Sequence, residues 1–351
     1  MSTLLKTSIP TQQRAWLVVK RGHPQQAVVL DEHHSVPSKL AAGEVLVKIQ
    51  AAALNPIGYK LMGLLPNFIA KRPHVAEHDL AGIVVDANGS GFQNGQEVYG
   101  MIAPPLKFSS AQGTLSEYTK LPAECLLLKP EGLKPTEAAG LAYAGLTAYQ
   151  ALFKTLALQE GQSVFINGGS TTVGMYAIQM AKARGCVVTA TGSTPKQELL
   201  KSLGVDHFID YTKGLVFEEL ERNPPQPKYH AILEAVGNAD WRLYTHSAAY
   251  LAPSGLYASL GPHGSYSEMA RLFFEVARPR LFGGTPRKWK WHMVKFNRDD
   301  LEAFNQFVAA GEIKPRVDSV YGFEDVQKGY ERIMSRRATG KVVIRVDPDA
   351  E

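Results

Sequence analysis

Several features of membrane and secreted proteins are missing from this chain of 351 residues. It holds no run of about 18 apolar residues, the length that a membrane-spanning helix requires, so we expect no membrane partner. Its two cysteines, Cys125 and Cys186, are too few for a disulfide framework or for a zinc site built from thiolates. We therefore expect a reducing compartment and a cytoplasmic location.

The N-terminal stretch lacks acids, because the first acidic residue is Asp31. An acid-poor, basic start is typical of organelle transit peptides. Here, however, Pro10 would interrupt an amphipathic helix, and residues 15–19 already predict a first strand. The formal charge of +5 is modest for this length and suits anionic ligands as well as nucleic acid.

The composition that is present, 45% hydrophobic and 20% charged, is that of a globular protein long enough for two domains. Residues 14–130 show short strand patterns separated by glycine and proline, which predicts a mostly β unit. A long Ala/Leu-rich helical pattern over 136–156 then opens a series of alternating strands and helices that continues to about 280. Such alternation predicts βαβ crossovers and a parallel sheet.

A glycine turn follows the strand pattern at 163–167 and precedes a helical pattern of apolar residues. The first N–H groups of such a helix point outward with the positive end of its dipole, an arrangement that suits a pyrophosphate. Tight packing in any α/β domain explains the turn alone equally well. The candidate cofactor-binding residues of the turn are Gly168, Gly169, Ser170, Thr171, Thr172 and Val173.

Further spaced motifs lie on either side of the turn, in the order LNPIGYK at 54–60, EHDLAGIVV at 77–85, GQEVYG at 95–100, GLTAY at 145–149 and TGKVV at 339–343. Together with the turn they resemble the medium-chain dehydrogenase/reductase superfamily, in particular its zinc-independent branch of quinone oxidoreductase-like proteins and enoyl reductases. The turn itself and GGTPRK at 283–288 are most similar to fungal members, including trans-acting enoyl reductases.

The resemblance implies an α/β fold in which a doubly wound Rossmann sheet is combined with a β-rich GroES-like substrate domain. We expect the substrate domain at 1–132, the NADP(H)-binding Rossmann domain at 133–280, and a segment at 281–351 that returns to the substrate domain. The family turn usually carries glycine where Thr171 and Thr172 stand. Threonine disfavours positive φ and adds bulk, but its hydroxyl can bind phosphate oxygens, so we expect a variant of the turn.

The second strand of the alternating series runs into TGSTPK at 191–196, which contains no acid. An NAD site usually has an acid there for the ribose hydroxyl, whereas hydroxyl and cationic groups suit the additional phosphate of NADPH. A solvated loop is the alternative. The resemblance implies that further cofactor contacts come from Ser193, Lys196, Tyr211, Thr147, Gly237 and Lys341. For Thr147 a place in a helix interior is the competing explanation.

Zinc is not expected, because the ligands of the superfamily's zinc enzymes are missing. Asn55 stands where the first cysteine would be, and Ala144 stands where a later cysteine would be. His78 does fall at the position of the histidine in the Gly-His-Glu motif, but one ligand cannot hold zinc. We expect His78 to pack or to form hydrogen bonds.

Without a metal, the resemblance implies hydride transfer from NADPH to the double bond of an α,β-unsaturated carbonyl, whether a quinone, an enone or an enoyl thioester. The protein must then place donors where the carbonyl oxygen gains charge. Lys60, Tyr59 and Asn55 are the catalytic candidates. An exposed loop lysine and a packed aromatic residue are the alternatives for Lys60 and Tyr59. Gly58 replaces the aspartate of the family's Asn-Pro-x-Asp-x-Lys pattern.

A basic stretch at 278–298 contains seven cationic residues and no acid, with two tryptophans between them. Three explanations compete: a solvated face, a patch for the phosphate of a CoA, a phosphopantetheine or an acyl carrier domain, and nucleic acid, which is the least favoured. The cationic residues are Arg278, Arg280, Arg287, Lys288, Lys290, Lys295 and Arg298.

Two alternatives to the unsaturated-carbonyl reductase stay open at this point. One is an NADPH-binding scaffold or RNA-binding protein with little catalysis, and the other is a carbonyl or alcohol oxidoreductase. The family contains both monomers and homodimers, so the sequence leaves the oligomeric state undecided.

Overall fold

The computed structural model describes residues 9–237, 240–261 and 266–350. The chain forms two compact units, one made of Met1–Tyr143 with Pro315–Glu351 and the other of Ala144–Lys314. The unit boundaries therefore lie at 143/144 and 314/315, whereas the sequence placed domain boundaries at 132/133 and 280/281. The second unit extends past 280 because a strand after that position joins its sheet.

The N-terminal part of the first unit is mostly strand. Its strands are β1 (Gln12–Val18), β2 (Val28–Ser35), β3 (Glu44–Ala53), β4 (His74–Val75), β5 (Asp79–Asp86), β6 (Glu97–Met101), β7 (Tyr118–Pro122) and β8 (Leu126–Leu128). Its helices are short: α1 (Pro24–Ala27), α2 (Pro56–Leu64), α3 (Asn67–Ala70), α4 (Pro104–Ser110) and α5 (Pro135–Ala138). Each begins with a proline except α3, which directly follows one. Proline suits the first helical position because the amide it lacks would have no intrahelical acceptor.

The second unit alternates strand and helix. It begins within α6 (Ala142–Tyr149), which continues as a π-helix over Gln150–Thr155. Its strands are β9 (Ser163–Asn167), β10 (Val187–Gly192), β11 (His207–Asp210), β12 (Tyr229–Glu234), β13 (Leu251–Ser259) and β14 (Lys288–Trp291). Its further helices are α7 (Thr172–Ala183), α8 (Gln197–Ser202), α9 (Val216–Arg222), α10 (Arg242–Thr245), α11 (Tyr266–Ala277) and α12 (Arg298–Ala309).

All six strands of the second unit run parallel in the order β11-β10-β9-β12-β13-β14. This is the order of a Rossmann sheet, in which the direction of winding reverses between the first and fourth strands. Strand β9 has the continuous apolar run expected of a strand covered on both faces, because Val164, Phe165 and Ile166 are all fully buried.

The chain then returns to the first unit as β15 (Val317–Gly322), α13 (Val326–Met334) and β16 (Lys341–Arg345). Strand β16 pairs with β3 and so joins a seven-stranded sheet with β5, β6, β7, β8 and β15, while β1, β2 and β4 form a three-stranded sheet. The predicted combination of a doubly wound parallel sheet with a β-rich unit is confirmed. Strand β14 was not predicted from the sequence.

Candidate functional site

The glycine turn leaves β9 at the point where the strand order reverses, beside the end of β12. Gly168 has a φ of +90°, and a Cβ there would lie 2.6 Å from Cγ2 of Val236, just past the end of β12. A Cβ at Gly169 would lie 2.9 Å from the Cβ of Ala190 on β10. Glycine is therefore required at both positions, once for backbone conformation and once for close packing.

The threonines of the turn occupy ordinary backbone conformations. Thr171 is the N-cap of α7 with a φ of −72°, and its hydroxyl accepts a hydrogen bond from the Gly174 amide at 3.0 Å. The same hydroxyl donates to the Gly168 carbonyl at 2.9 Å. Thr172 is the first residue of α7, so its amide and that of Val173 have no acceptor within the helix. Neither threonine has a positive φ, so the substituted turn forms without the backbone conformation that threonine disfavours.

A buried polar network lies directly behind the turn and was not predicted from the sequence. The Thr191 hydroxyl accepts from the Gly168 amide and donates to Asn167 Oδ1, each at 2.8 Å. Glu234 Oε1 accepts from the Gly237 amide at 2.8 Å, and its Oε2 accepts from Ser259 at 2.9 Å. Burial raises the pKa of Glu234, against the lowering effect of these hydrogen bonds. The network fixes the strand ends on both sides of the turn, and the positive φ of Gly237, +71°, follows from it.

The loop after β10 holds the residues predicted to select NADPH. Ser193 precedes a short 3-10 turn, and the Lys196 amide donates to its carbonyl at 2.8 Å. Tyr211 is 53% exposed and its amide donates to the carbonyl of Gly192, which brings β11 alongside the loop. Asp210 is also here, but its carboxylate accepts hydrogen bonds from the hydroxyls of Thr194 and Thr212. The acid missing from the loop sequence is thus present on the neighbouring strand, engaged by threonines.

Other predicted residues of the second unit lie in regular elements. Thr147 is buried in α6, 9% exposed. The basic stretch supplies β14, in which the partly buried Trp289 packs against the core of the unit. Arg287 donates to the main-chain carbonyl of Leu251 at 2.8 Å, and Arg278 pairs with Glu275 at 2.7 Å. Part of the basic stretch is therefore used in holding the fold.

In the first unit, Asn55 and Lys341 lie together around a buried carboxylate. Lys341 Nζ is 2.9 Å from Asp79 Oδ2 and 2.8 Å from Asn55 Oδ1, and Asn55 Nδ2 donates to the same Asp79 oxygen at 3.0 Å. The Tyr143 amide donates to the other Asp79 oxygen at 2.9 Å. The side chains of Lys341 and Asp79 are 4% and 0% exposed. Sequence analysis assigned Asn55 to catalysis and Lys341 to the cofactor, and it did not find Asp79.

A second buried carboxylate, Glu77, lies at the start of α2. Its Oε2 accepts from the Asn55 amide at 3.1 Å, and its Oε1 accepts from the Tyr330 hydroxyl at 2.8 Å. Lys107 Nζ donates to the Glu77 carbonyl at 3.1 Å. Burial raises the pKa of Glu77 and lowers that of Lys107 to about 8, each opposed by attraction to the other. Glu77 was not predicted as a site residue, although it stands where the Gly-His-Glu motif has glycine.

Tyr59 and Lys60 lie on α2, both half-buried, with Lys60 Nζ 5.9 Å from the centre of the Tyr59 ring. Burial raises the pKa of Tyr59, so its phenol is protonated at neutral pH. His78 is buried, and its Nδ1 donates to the Ile102 carbonyl at 2.7 Å. Burial lowers the pKa of His78 well below its usual value, so the ring is neutral. Its roles in the structure are packing and hydrogen bonding.

Within residues 9–237, 240–261 and 266–350, no cluster of three or more His, Cys, Asp or Glu side chains could hold a metal ion. The cationic partner of the Asn55 side chain is the ammonium of Lys341. Across those residues no helix has the length and apolarity to cross a bilayer.

Two family models match the chain: "Alcohol dehydrogenase GroES-like domain" over residues 41–131 and "Zinc-binding dehydrogenase" over residues 203–344. Trans-enoyl reductase pgmF of Aspergillus terreus is 32% identical over 98% of this chain and 99% of its own length. The chloroplastic NADPH-dependent alkenal/one oxidoreductase of Arabidopsis thaliana is 31% identical over 96% of this chain and 80% of its own length. The chain belongs to the medium-chain dehydrogenase/reductase superfamily and is an oxidoreductase.

Among solved structures, the quinone oxidoreductase of Coxiella burnetii matches with a TM-score of 0.79 at 24% identity, covering 96% of this chain and all of its own. This similarity extends over both units and confirms the fold, including the GroES-like character of the first unit.

Proposed function

We propose that the protein is an NADPH-dependent reductase that delivers hydride to the double bond of an α,β-unsaturated carbonyl compound without zinc. The observation that carries the proposal is the glycine turn at the winding reversal of the parallel sheet, in a chain whose relatives bear the names of enoyl and alkenal reductases. The substrate class is a quinone, an enone or an enoyl thioester.

The turn suits the pyrophosphate of a dinucleotide. At Gly168 and Gly169 added side-chain atoms would collide with neighbouring strands, so the backbone is kept bare where α7 begins. The amides of Thr172 and Val173 are the helix donors that remain for an anion, since Thr171 already caps the Gly174 amide. Asn167, Thr191 and Glu234 hold the surrounding strand ends in place.

NADPH is favoured over NADH by the loop after β10. Ser193 and Lys196 offer a hydroxyl and a cation to the additional phosphate, and Tyr211 lies beside them. Asp210 is the acid that could instead serve a ribose hydroxyl. Its carboxylate already accepts bonds from Thr194 and Thr212, and these contacts orient it toward the two threonines.

The first unit supplies the groups that would stabilise charge on the substrate. When bound, NADPH supplies the hydride, and the substrate carbonyl oxygen then gains negative charge. Lys60 offers a cation and Tyr59 a phenol that stays protonated, because burial raises its pKa. Asn55 is held by Lys341 and Asp79, and the Lys341 ammonium beside it would repel a zinc ion, which supports a zinc-independent reaction.

The test is NADPH consumption by the purified protein on a panel of quinones, alkenals and crotonyl thioesters, compared with NADH. We expect turnover on at least one class, with preference for NADPH. The variant Lys196→Gln should weaken the binding of NADPH and leave that of NADH unchanged, because the two cofactors differ only in the additional phosphate. Lys201→Gln, an exposed lysine on α8, is the matched control.

Three results would contradict the proposal. Tight NADPH binding without turnover on any substrate would favour a scaffold, and salt-dependent RNA binding at physiological ionic strength would favour an RNA-binding protein. Turnover confined to saturated alcohols and ketones would favour a carbonyl or alcohol oxidoreductase.

A further inference from the structure

The first turn of α2 lacks the acid that such a helix start usually has. Asn55 is its N-cap, and Gly58 is its third residue. In a capping box the acidic side chain at the third position accepts a hydrogen bond from the N-cap amide. Here the first turn contains no acid, and Asn55 turns its own side chain to Asp79 and Lys341 instead of capping the helix.

Glu77, which lies between β4 and β5, fills this gap. A Cβ on Gly58 would lie 2.8 Å from Cδ and 2.9 Å from Oε2 of Glu77, so the carboxylate occupies the volume in which a side chain at 58 would begin. Glu77 Oε2 accepts from the Asn55 amide at 3.1 Å. The hydrogen bond of a capping box is therefore made by a residue from another part of the chain.

The backbone of Glu77 adopts a conformation that is strained for a residue with a side chain. Its φ is +61°, in the left-handed region that favours glycine. Its carboxylate is fully withdrawn from solvent and is held by the Tyr330 hydroxyl as well as by the Asn55 amide. Position 77 would be more stable as glycine if its carboxylate served no purpose.

We propose that Glu77 is a positioning residue that supplies from outside the helix the carboxylate that position 58 lacks, and so fixes the end of α2 that carries Tyr59 and Lys60. The two departures from the family motifs, glycine at 58 and glutamate at 77, form one compensating pair. The consequence for turnover rests on the proposed function, whereas the contact itself does not.

The test exchanges the two residues. We expect Glu77→Gly to lower the melting temperature by roughly 4–8 °C despite the relief of backbone strain, and to lower kcat at least tenfold with the Kd of NADPH unchanged. Gly58→Asp should also impair both, because its side chain collides with Glu77. The double variant Gly58→Asp/Glu77→Gly should recover kcat to within about threefold of the parent, since the carboxylate returns at the third position of α2.

The control is Gly58→Asn/Glu77→Gly, which restores the volume without the charge and should remain impaired. Hydrogen exchange at the Asn55 amide gives a readout that does not need turnover: protection should be lost in Glu77→Gly and regained in the Asp exchange variant. If the losses of the two single variants simply add in the double variant, the inference is wrong. If protection and melting temperature show the compensation but no protein consumes NADPH, the inference stands and the proposed function fails.

Discussion

The charge of Lys341 is almost completely withdrawn from solvent, and this makes the residue a sensitive point of the first unit. Its ammonium lies between Asp79 and Asn55, and Gly140 leaves room for its stem, because a Cβ there would lie 2.7 Å from Cγ of Lys341. Removing one partner of a buried ion pair leaves the other charge without compensation. The loss of stability is therefore expected to be large when only one member of the pair is replaced.

We expect Lys341→Met to lower the free energy of unfolding by about 3–5 kcal/mol, because the Asp79 carboxylate would stay buried with only neutral donors. Urea denaturation followed by fluorescence measures this. Lys328→Met is the control, since that lysine forms an exposed pair with Asp325 on α13 and should change stability little. Equal losses in the two variants would contradict the buried pair as a source of stability.

Replacement of Lys60 is expected to affect turnover. We expect Lys60→Met to lower kcat by roughly 10²–10³, the usual effect of removing one donor to a developing oxyanion, while the Kd of NADPH is unchanged. Stopped-flow turnover with the best substrate of the panel and cofactor titration separate the two quantities. Lys39→Met, at an exposed position after β2, should retain full turnover. Loss of cofactor binding with unchanged kcat would remove Lys60 from catalysis.

At the residue scale, the sequence could identify candidates but not their partners. Asn55 and Lys341 were both singled out, yet 286 positions separate them, and spacing alone does not show that they meet. Gly58 was recognised as a departure from the family pattern. The reason for this departure is Glu77, a residue from a different part of the chain, and only the three-dimensional structure shows that the two positions are in contact.

At the scale of elements, α7 begins with a threonine N-cap at a position where the family usually has glycine. Thr171 caps the helix with a negative φ, so positive φ is confined to Gly168 and the turn keeps its shape. The hydroxyl of Thr171 closes the turn from within, by bonding to both the Gly168 carbonyl and the Gly174 amide.

We expect Thr171→Val to destabilise the second unit by about 1 kcal/mol, because it removes the cap oxygen while keeping the branched shape. Thr171→Ser keeps the oxygen and should lose much less. Thermal unfolding of the two variants, with and without NADPH, provides the comparison. A valine variant as stable as the serine variant would show that the cap contributes nothing.

The elements of the second unit were largely predictable, and the exception has a physical reason. Strand β9 contains an uninterrupted apolar run, because a parallel strand inside the sheet is covered on both faces, and β10 is buried from its second residue onward. Strand β14, Lys288–Trp291, alternates lysine and tryptophan and lies at the edge of the sheet. Its lysines made the segment resemble a charged surface, so its pairing with β13 was not visible in the sequence.

At the scale of the whole molecule, neutral buried histidines make stability depend on pH. Burial lowers the pKa of His74 to about 3 and that of His292 to about 4, and these residues belong to different units. The unfolded chain, with an ordinary histidine pKa near 6.5, binds these protons first as the pH falls. The stability that these groups contribute is therefore complete above about pH 6.5 and is lost progressively below it.

Between pH 7 and pH 5 we expect each of these two histidines to remove about 2 kcal/mol of unfolding free energy. His74→Leu should reduce the loss in this interval by about that amount, as measured by urea denaturation at both pH values. His33→Leu, at an exposed position, is the control and should leave the pH dependence unchanged. An identical pH dependence in all three proteins would contradict a neutral buried His74.

Strand β16 lies between β15 and β3 in the first unit's larger sheet, although it is synthesised after every other strand of that sheet. On the ribosome, residues 144–314 emerge completely before β3 can pair with β16 or Asp79 can meet Lys341. The second unit is therefore able to fold before β16 of the first unit has been synthesised. We therefore expect nascent chains halted before residue 341 to contain a folded second unit, while Asn55 still lacks its contact with Lys341.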